Sequence, residues 1–341
     1  MVLPRSAERR IWSPLPHPPC YWPVEGPLER TDAPLQGRHT MTPEIRFGTP
    51  RKLPNPKRLN GRVVVLDVAF AGVDQSQGFH NTTLKFIDGL GERLRGWIDH
   101  HDHIEHARFA KDPRFVLATK AEHGACPEMI DSSLVHRIGP VDTIVCHTDF
   151  DGLASAAKWI LGGEQPYAAC DADARAIDTR LGRPGPEATM MDRALRANPR
   201  DAGLQGAIVQ YLVSRLTHSS LRERIETAAA ALEPIERETR RAAQSYRRLD
   251  AGLAFVDVTN GFGRIDMTYL LLLGQERERV AVVLDRNNAH VAARFDSGLN
   301  FLELLGLPGG MPTRVALPRK RAAELLGRLG VSPGEVYALL A

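Results

Sequence analysis

The chain has 341 residues, 43% of them hydrophobic and 25% charged, enough apolar side chains for the cores of one or two globular domains. No run of 18 or more apolar residues occurs, so no transmembrane helix is expected; prolines and charges fill the first thirty residues, where a secretory signal would be apolar. The net charge of +3 divides unevenly, with a net +5 in residues 1–60 and a net −2 in residues 61–341, which excludes a broad basic platform for nucleic acid over the latter.

Residues 1–60 hold twelve of the 24 prolines and no sustained apolar period, and read as a disordered tail in which Met41 is an alternative start to Met1. From residue 61 the texture changes. A β-branched run over 63–67 has the look of a buried parallel strand. A helical pattern over 82–94 leads to a second strand end over 96–99, and a third strand is expected over 115–119. Residues 126–135 read as helical, and 143–147 as another buried strand running straight into an Ala-rich helix over 152–161. Strands alternating with helices predict an α/β fold: a parallel-sheet domain over 61–215. Residues 187–250 are mostly helical, with Pro234 expected to break the run, and 216–250 read as a helical linker. Strands return over 254–258, 280–284 and 290–295, the last two joined as a hairpin by Arg286-Asn287-Asn288, with short helices near 299–305 and 320–329. These define a smaller α/β C-terminal domain over 251–341. The four cysteines, Cys20, Cys126, Cys146 and Cys170, include no CxxC pair. They argue against a disulfide framework or zinc ribbon, and a reducing cytoplasm is the expected location.

Ligands in parallel sheets sit beyond the carboxyl ends of the strands, and the sequence concentrates its His and Asp there. His147, Asp149 and Asp151 lie within five residues at a strand-to-helix turn, where Gly152 lets the backbone turn tightly. The triple reads as metal-ligating; the bland alternative is an N-cap Asp with a solvated neighbour. In Asp99-His100-His101, one imidazole can ligate metal, the other can contact a phosphate, and Asp99 can orient a ring. His103 and His106 read as a polar surface turn. Asp67 closes its strand either as a bridging carboxylate or as a simple cap. Together these residues suffice for two divalent ions, the usual equipment for cutting phosphate esters.

Three of these stretches resemble a known family. Ile98-Asp99-His100-His101 resembles the motif that names the DHH phosphoesterases. His147-x-Asp149-x-Asp151-Gly152-x-Ala154-Ser155 is similar to that family's His-x-Asp-x-Asp motif, and Leu66-Asp67 to its single-Asp motif. The family includes RecJ-like exonucleases, nanoRNase/pAp phosphatases, cyclic dinucleotide phosphodiesterases and family II pyrophosphatases. The resemblance covers about residues 61–341. It implies a parallel-sheet catalytic domain with two manganese or magnesium ions, manganese preferred, and a second domain that closes over the substrate. Residues 291–295 and Gly309-Gly310 resemble the substrate-holding part of that second domain. Three departures stand out. The His-x-Asp-x-Asp motif follows the other two here, as a circular permutation would explain. The fourth acidic ligand has no clear counterpart, Asp171, Asp173 and Asp257 being candidates. Met311 stands where the Gly-rich loop ends in His.

The resulting expectation is a two-metal phosphoesterase. Asp67, His100, His147, Asp149 and Asp151 would ligate metal, and His101, supported by Asp99, would contact the scissile phosphate. Arg294 and Arg314 would hold a second phosphate or terminal group, with Gly309 and Gly310 letting backbone N–H groups approach. The net −2 of residues 61–341 favours a small nucleotide or short oligonucleotide as substrate, and a homodimer is compatible with the sequence. Two other readings stand beside it: a catalytically weak nucleotide-sensing protein of the same fold, and a RecJ-type single-strand exonuclease.

Overall fold

The computed structural model describes residues 42–72 and 78–341. Its first sheet is built from β1 (Glu44–Phe47), β2 (Val63–Leu66), β3 (Leu94–Asp99), β5 (Phe115–Leu117) and β6 (Thr143–Cys146), in the order β1-β6-β2-β3-β5. Every pairing in it is parallel. The short β4 (Asp102–His103) lies outside this sheet. Val63–Leu66 is apolar at every position because both faces of the sheet are covered. Val64, Leu66, Ile98, Ile144 and Cys146 face one core, and Val63, Val65, Trp97 and Val145 face another. The second core is closed by α1 (Lys85–Leu90) and α2 (His106–Phe109). The first is closed by α3 (Ser132–Ile138), α4 (Phe150–Ile160), α5 (Cys170–Thr179), α6 (Pro186–Ala197), α7 (Ala202–Val213) and α8 (Ser219–Ala230).

Helix α9 (Glu233–Ala243) leads into the second sheet, with β7 (Arg247–Leu249), β8 (Leu253–Asp257), α10 (Met267–Gln275), β9 (Val280–Leu284) and β10 (Asn288–Ala293). Then come α11 (Phe301–Leu305), β11 (Gly309–Gly310), β12 (Arg314–Pro318), α12 (Ala322–Arg328) and α13 (Pro333–Leu340). The sheet order is β12-β10-β9-β8-β7. Only β8 and β9 run parallel, and β9–β10 is the hairpin that Arg286-Asn287-Asn288 announces. The fold is therefore α/β, with two five-stranded sheets and the two-stranded pair β11-β4 among the described residues. Among the described residues no helix is long and apolar enough to cross a membrane.

Several expectations are corrected. Residues 42–60, assigned to the tail, carry β1 and a 3-10 turn over Pro56–Arg58; Ile45 and Phe47 pack on the first core and Leu59 lies in the second. Proline density masked a strand of only four residues. The remainder of the expected tail, residues 1–41, lies outside the described residues. Residues 216–250 are mostly helical, as α8 and α9, and they are packed against the rest of the chain. Ile225 and Ala229 of α8 join the first core, a narrow apolar stripe that the charged composition hides. The helical run does break beside Pro234, as expected: α8 ends at Ala230, and Pro234 sits in the first turn of α9, where its missing N–H costs nothing. Helix α13 was missed although Ser332-Pro333 announces it: the Ser332 side chain accepts from the Glu335 N–H at 3.3 Å. Cys126, Cys146 and Cys170 are free and buried.

Strand β1 generates a test. A chain beginning at residue 61 loses the edge strand that pairs with β6 along four residues. Uncovering Ile45 and Phe47 costs about 2–4 kcal/mol. By calorimetry that chain is expected to melt about 5 °C or more below one beginning at residue 42. Equal melting temperatures would show that β1 adds nothing.

Candidate metal centre

The parallel register brings the site together. Leu66 stands opposite both Ile98 and Cys146, so the next residues, Asp67, Asp99 and His147, emerge at one edge of the sheet. Asp67 turns there with a left-handed backbone, φ 59°, a conformation that Asp tolerates better than most side chains. Its N–H donates to the Ile98 carbonyl at 2.8 Å. The carboxylate is 1% exposed. Its Oδ1 lies 3.2 Å from His100 Nε2 and 3.9 Å from His101 Nδ1, and its Oδ2 lies 3.6 Å from His147 Nδ1. Neither buried oxygen has a hydrogen-bond partner. Buried carboxylates without partners are costly, and this one has the disposition of a metal ligand.

Asp149 is the N-cap of α4, as the bland reading had it, and its Oδ1 also lies 2.7 Å from His147 Nδ1. Gly152 is required for this turn, since a Cβ there would stand 2.8 Å from the His147 carbonyl oxygen. Burial favours a neutral His147, but Asp149 and Asp67 outweigh it and push the imidazole well above its ordinary pKa. A cation binding there therefore competes with a proton. Asp151, in the first turn of α4, lies 3.3 Å from His100 Nε2; burial, then Asp149 and Asp178, raise its pKa. His101 Nδ1 lies 2.8 Å from Asp99 Oδ1, so Asp99 orients that ring. Three groups of ligand atoms result, each within 4.8 Å: Asp67-His147-Asp149, Asp67-His100-His101 and His100-Asp151-Asp178. Mixed imidazole and carboxylate sets of this kind suit a divalent ion such as manganese.

Two members of this site carry no local sequence signature. Asp178 stands in the third of these groups, whereas the sequence offered Asp171, Asp173 or Asp257. Those three are engaged elsewhere, with Lys158 at 2.5 Å, with Tyr167 at 2.9 Å and Gly185 at 2.8 Å, and with Arg319 at 2.7 Å respectively. The available clue was position: Asp178 sits in the last turn of α5, where the helix dipole disfavours an acid. The second is Lys120, 2% exposed, which pairs with Asp178 and lies 2.7 Å from His100 Nε2. Burial alone would raise the Asp178 pKa; Lys120, His100 and His101 lower it to about 2.

The C-terminal residues take other positions. Gly309-Gly310 pairs antiparallel with Asp102–His103. A Cβ on Gly309 would lie 2.4 Å from the Asp102 carbonyl oxygen, so this glycine lets two chain segments meet. Arg294 is largely exposed and pairs with Asp296 at 2.8 Å. Arg314 donates to Thr268 Oγ1 at 2.9 Å, and burial, then Arg180, lower its pKa to about 10. Asp178, Arg180, Arg294, Met311 and Arg314 border one cavity of about 500 Å³, which leads from the acidic centre to the arginines. His103 and His106 are not a polar surface turn. Their rings pack on Phe70 at 5.5 and 5.1 Å, their Nε2 atoms are buried without hydrogen bonds, and burial lowers both pKa values.

No family model and no curated protein matches the chain. Among solved structures, it is similar to a pGpG-specific phosphodiesterase, PggH, from Vibrio cholerae. The identity is 12%, the match covers 82% of this chain and 99% of that one, and the TM-score is 0.38. It is also similar to an exonuclease RecJ bound to manganese, at 10% identity over 88% of this chain and 91% of that one, with a TM-score of 0.41.

Asn tolerates the left-handed turn as Asp does, so Asp67→Asn tests the buried carboxylate as a metal ligand without straining the fold. The variant is expected to melt within a few degrees of wild type. Its manganese affinity in titration calorimetry should fall by more than the roughly 10–100-fold typical of losing an outer-shell partner. Unaltered affinity would remove Asp67 from the centre.

Proposed function

We propose that this chain is a divalent-metal-dependent phosphoester hydrolase acting on small nucleotides or short oligonucleotides, with manganese the preferred ion. The observation that carries this reading is the Asp67 carboxylate, buried with both oxygens unpartnered and each facing a different imidazole. A divalent ion bound there would supply Lewis-acid charge to a phosphoryl oxygen and lower the pKa of a coordinated water. Asp67, His147 and Asp149 would hold it.

The chain's own groups do the rest. Asp99 engages Nδ1 of His101 and leaves Nε2 as the ring nitrogen available to a phosphate oxygen. Arg180, Arg294 and Arg314 border the cavity that begins at Asp178, and would hold a second phosphate or terminal group by charge-assisted hydrogen bonds. Arg180 is added to the pair named from sequence because it lines the same cavity. A polymer would meet no net positive charge over residues 61–341, which sum to −2. A short ligand held by a metal ion and a few arginines fits that balance, and its binding should fall only gently with salt.

The test is a manganese-dependent substrate panel: pAp, di- to pentaribonucleotides, cyclic and linear dinucleotides, pyrophosphate, bis-p-nitrophenyl phosphate and long single-stranded DNA. Short phosphorylated ligands are expected to turn over fastest. Processive degradation of long DNA, faster per nucleotide than cleavage of diribonucleotides, would replace this reading with an exonuclease. Asp149→Ala should reduce turnover to background while the protein stays folded, and near-wild-type rates would refute its assignment. Arg294→Ala should raise KM about tenfold with little change in kcat, because a ground-state contact binds substrate and transition state alike; a kcat loss with unchanged KM would contradict that role.

A further inference from the structure

We infer that the ammonium group of Lys120 takes the place of a second divalent ion, so that the centre holds one ion, at Asp67, His147 and Asp149. This rests on the metal-dependent reading above and alters its stoichiometry. The group His100-Asp151-Asp178 has the composition of a metal site, yet two of its ligand atoms are already committed. Lys120 Nζ lies 2.7 Å from His100 Nε2 and pairs with Asp178 Oδ2.

The tautomer of His100 makes the conflict specific. Its Nδ1 lies 2.8 Å from the His123 carbonyl oxygen, which can only accept, so Nδ1 carries the hydrogen. Nε2 then has one lone pair, and Nζ sits in front of it. A single lone pair serves one electrophile. While Lys120 stays, His100 is not a metal ligand, and the Asp178 oxygen nearest the group is neutralised as well.

The local chain holds Lys120 there: one turn supplies both the lysine and the carbonyl that sets the His100 tautomer. The Ala118 N–H donates to the Asp99 carbonyl at 2.9 Å. The Lys120 N–H donates to Asp102 Oδ2 at 3.2 Å. The Thr119 carbonyl accepts from the Glu122 and His123 N–H groups at 3.1 and 3.0 Å. The Glu122 carboxylate accepts the Thr119 N–H and hydroxyl at 2.8 Å each. The lysine is also 2% exposed, so withdrawal would leave a buried gap and strand Asp178 without its partner. An ammonium carried on the chain thus supplies at one end of the site the positive charge that a free ion would bring from solution.

Manganese per chain, measured by elemental analysis after equilibrium dialysis of the full-length protein, decides the matter together with the electron paramagnetic resonance spectrum. Wild type is expected to hold one ion with an uncoupled spectrum. Lys120→Ala is expected to hold two, with the exchange-coupled spectrum of a close pair. Two coupled ions in wild type would overturn the inference and leave the metal-dependent reading standing. A folded Lys120→Ala that still holds one ion would also overturn it, since the lysine would not be what excludes the second. Wild type that holds none would overturn the inference and that reading together. The wild-type measurement is decisive even if the variant fails to fold.

Discussion

Five carboxylates, those of Asp67, Asp99, Asp149, Asp151 and Asp178, converge at one edge of the parallel sheet, and the fold must hold this negative charge largely out of water. Two like charges 4 Å apart repel by about 4 kcal/mol even at an effective dielectric constant of 20. Four of the five have a cationic or hydrogen-bonding partner within the chain. Asp99 has His101, Asp149 has His147 and the N-terminus of α4, Asp151 accepts from the Cys126 N–H, and Asp178 has Lys120. Asp67 alone among them keeps both oxygens without a hydrogen bond. The charge pattern therefore asks for an external cation at one place more than at any other.

The two sheets serve that centre differently. The first delivers ligands from the ends of rigid, fully buried strands, which fixes them more firmly than loops would. The second sheet supplies arginines, and the chain ties its Gly309-Gly310 segment directly onto Asp102–His103, just past the Asp99-His100-His101 run. Further ties add to this: Arg196 of α6 reaches Asp266 at the start of α10, and Arg193 reaches Glu236 of α9. The cavity between Asp178 and Arg314 is thus walled by elements already bonded to one another.

The part of this arrangement that was legible in sequence is the part encoded locally. A buried strand that ends in Asp, or in Asp-His-His, shows its chemistry within a few residues, and parallel pairing then does the assembly. Asp67, His100, His101, His147, Asp149 and Asp151 could be read for that reason. Asp178 and Lys120 could not, because each is a lone charged residue whose meaning comes from a contact 58 residues away in the chain. Composition misled in two places for one reason. Prolines around β1 and charges around α8 dominate an average, while a few buried side chains such as Ile45 and Ile225 decide the structure. The histidines at 103 and 106 show the reverse error, polar in type yet packed as aromatic rings against Phe70.

The reversed order of motifs along the chain loses its force once the sheet is considered in space. In a parallel sheet each strand needs a crossover to reach its neighbour, so lateral position rather than chain order decides which strand ends meet. Strand β2 is the middle strand of the five, with β6 on one side and β3 on the other. A residue at its end can be reached from both flanks, whereas one at the end of β3 or β6 has the other motif two strands away. Asp67 occupies that central end, and its two oxygens divide accordingly, Oδ2 toward His147 after β6 and Oδ1 toward His100 and His101 after β3. The left-handed turn at Asp67 completes the geometry by directing the carboxylate between the two flanking strand ends. This position between the two flanking motifs follows from the lateral order of the sheet, and it would survive any rearrangement of chain order that kept β2 in the middle.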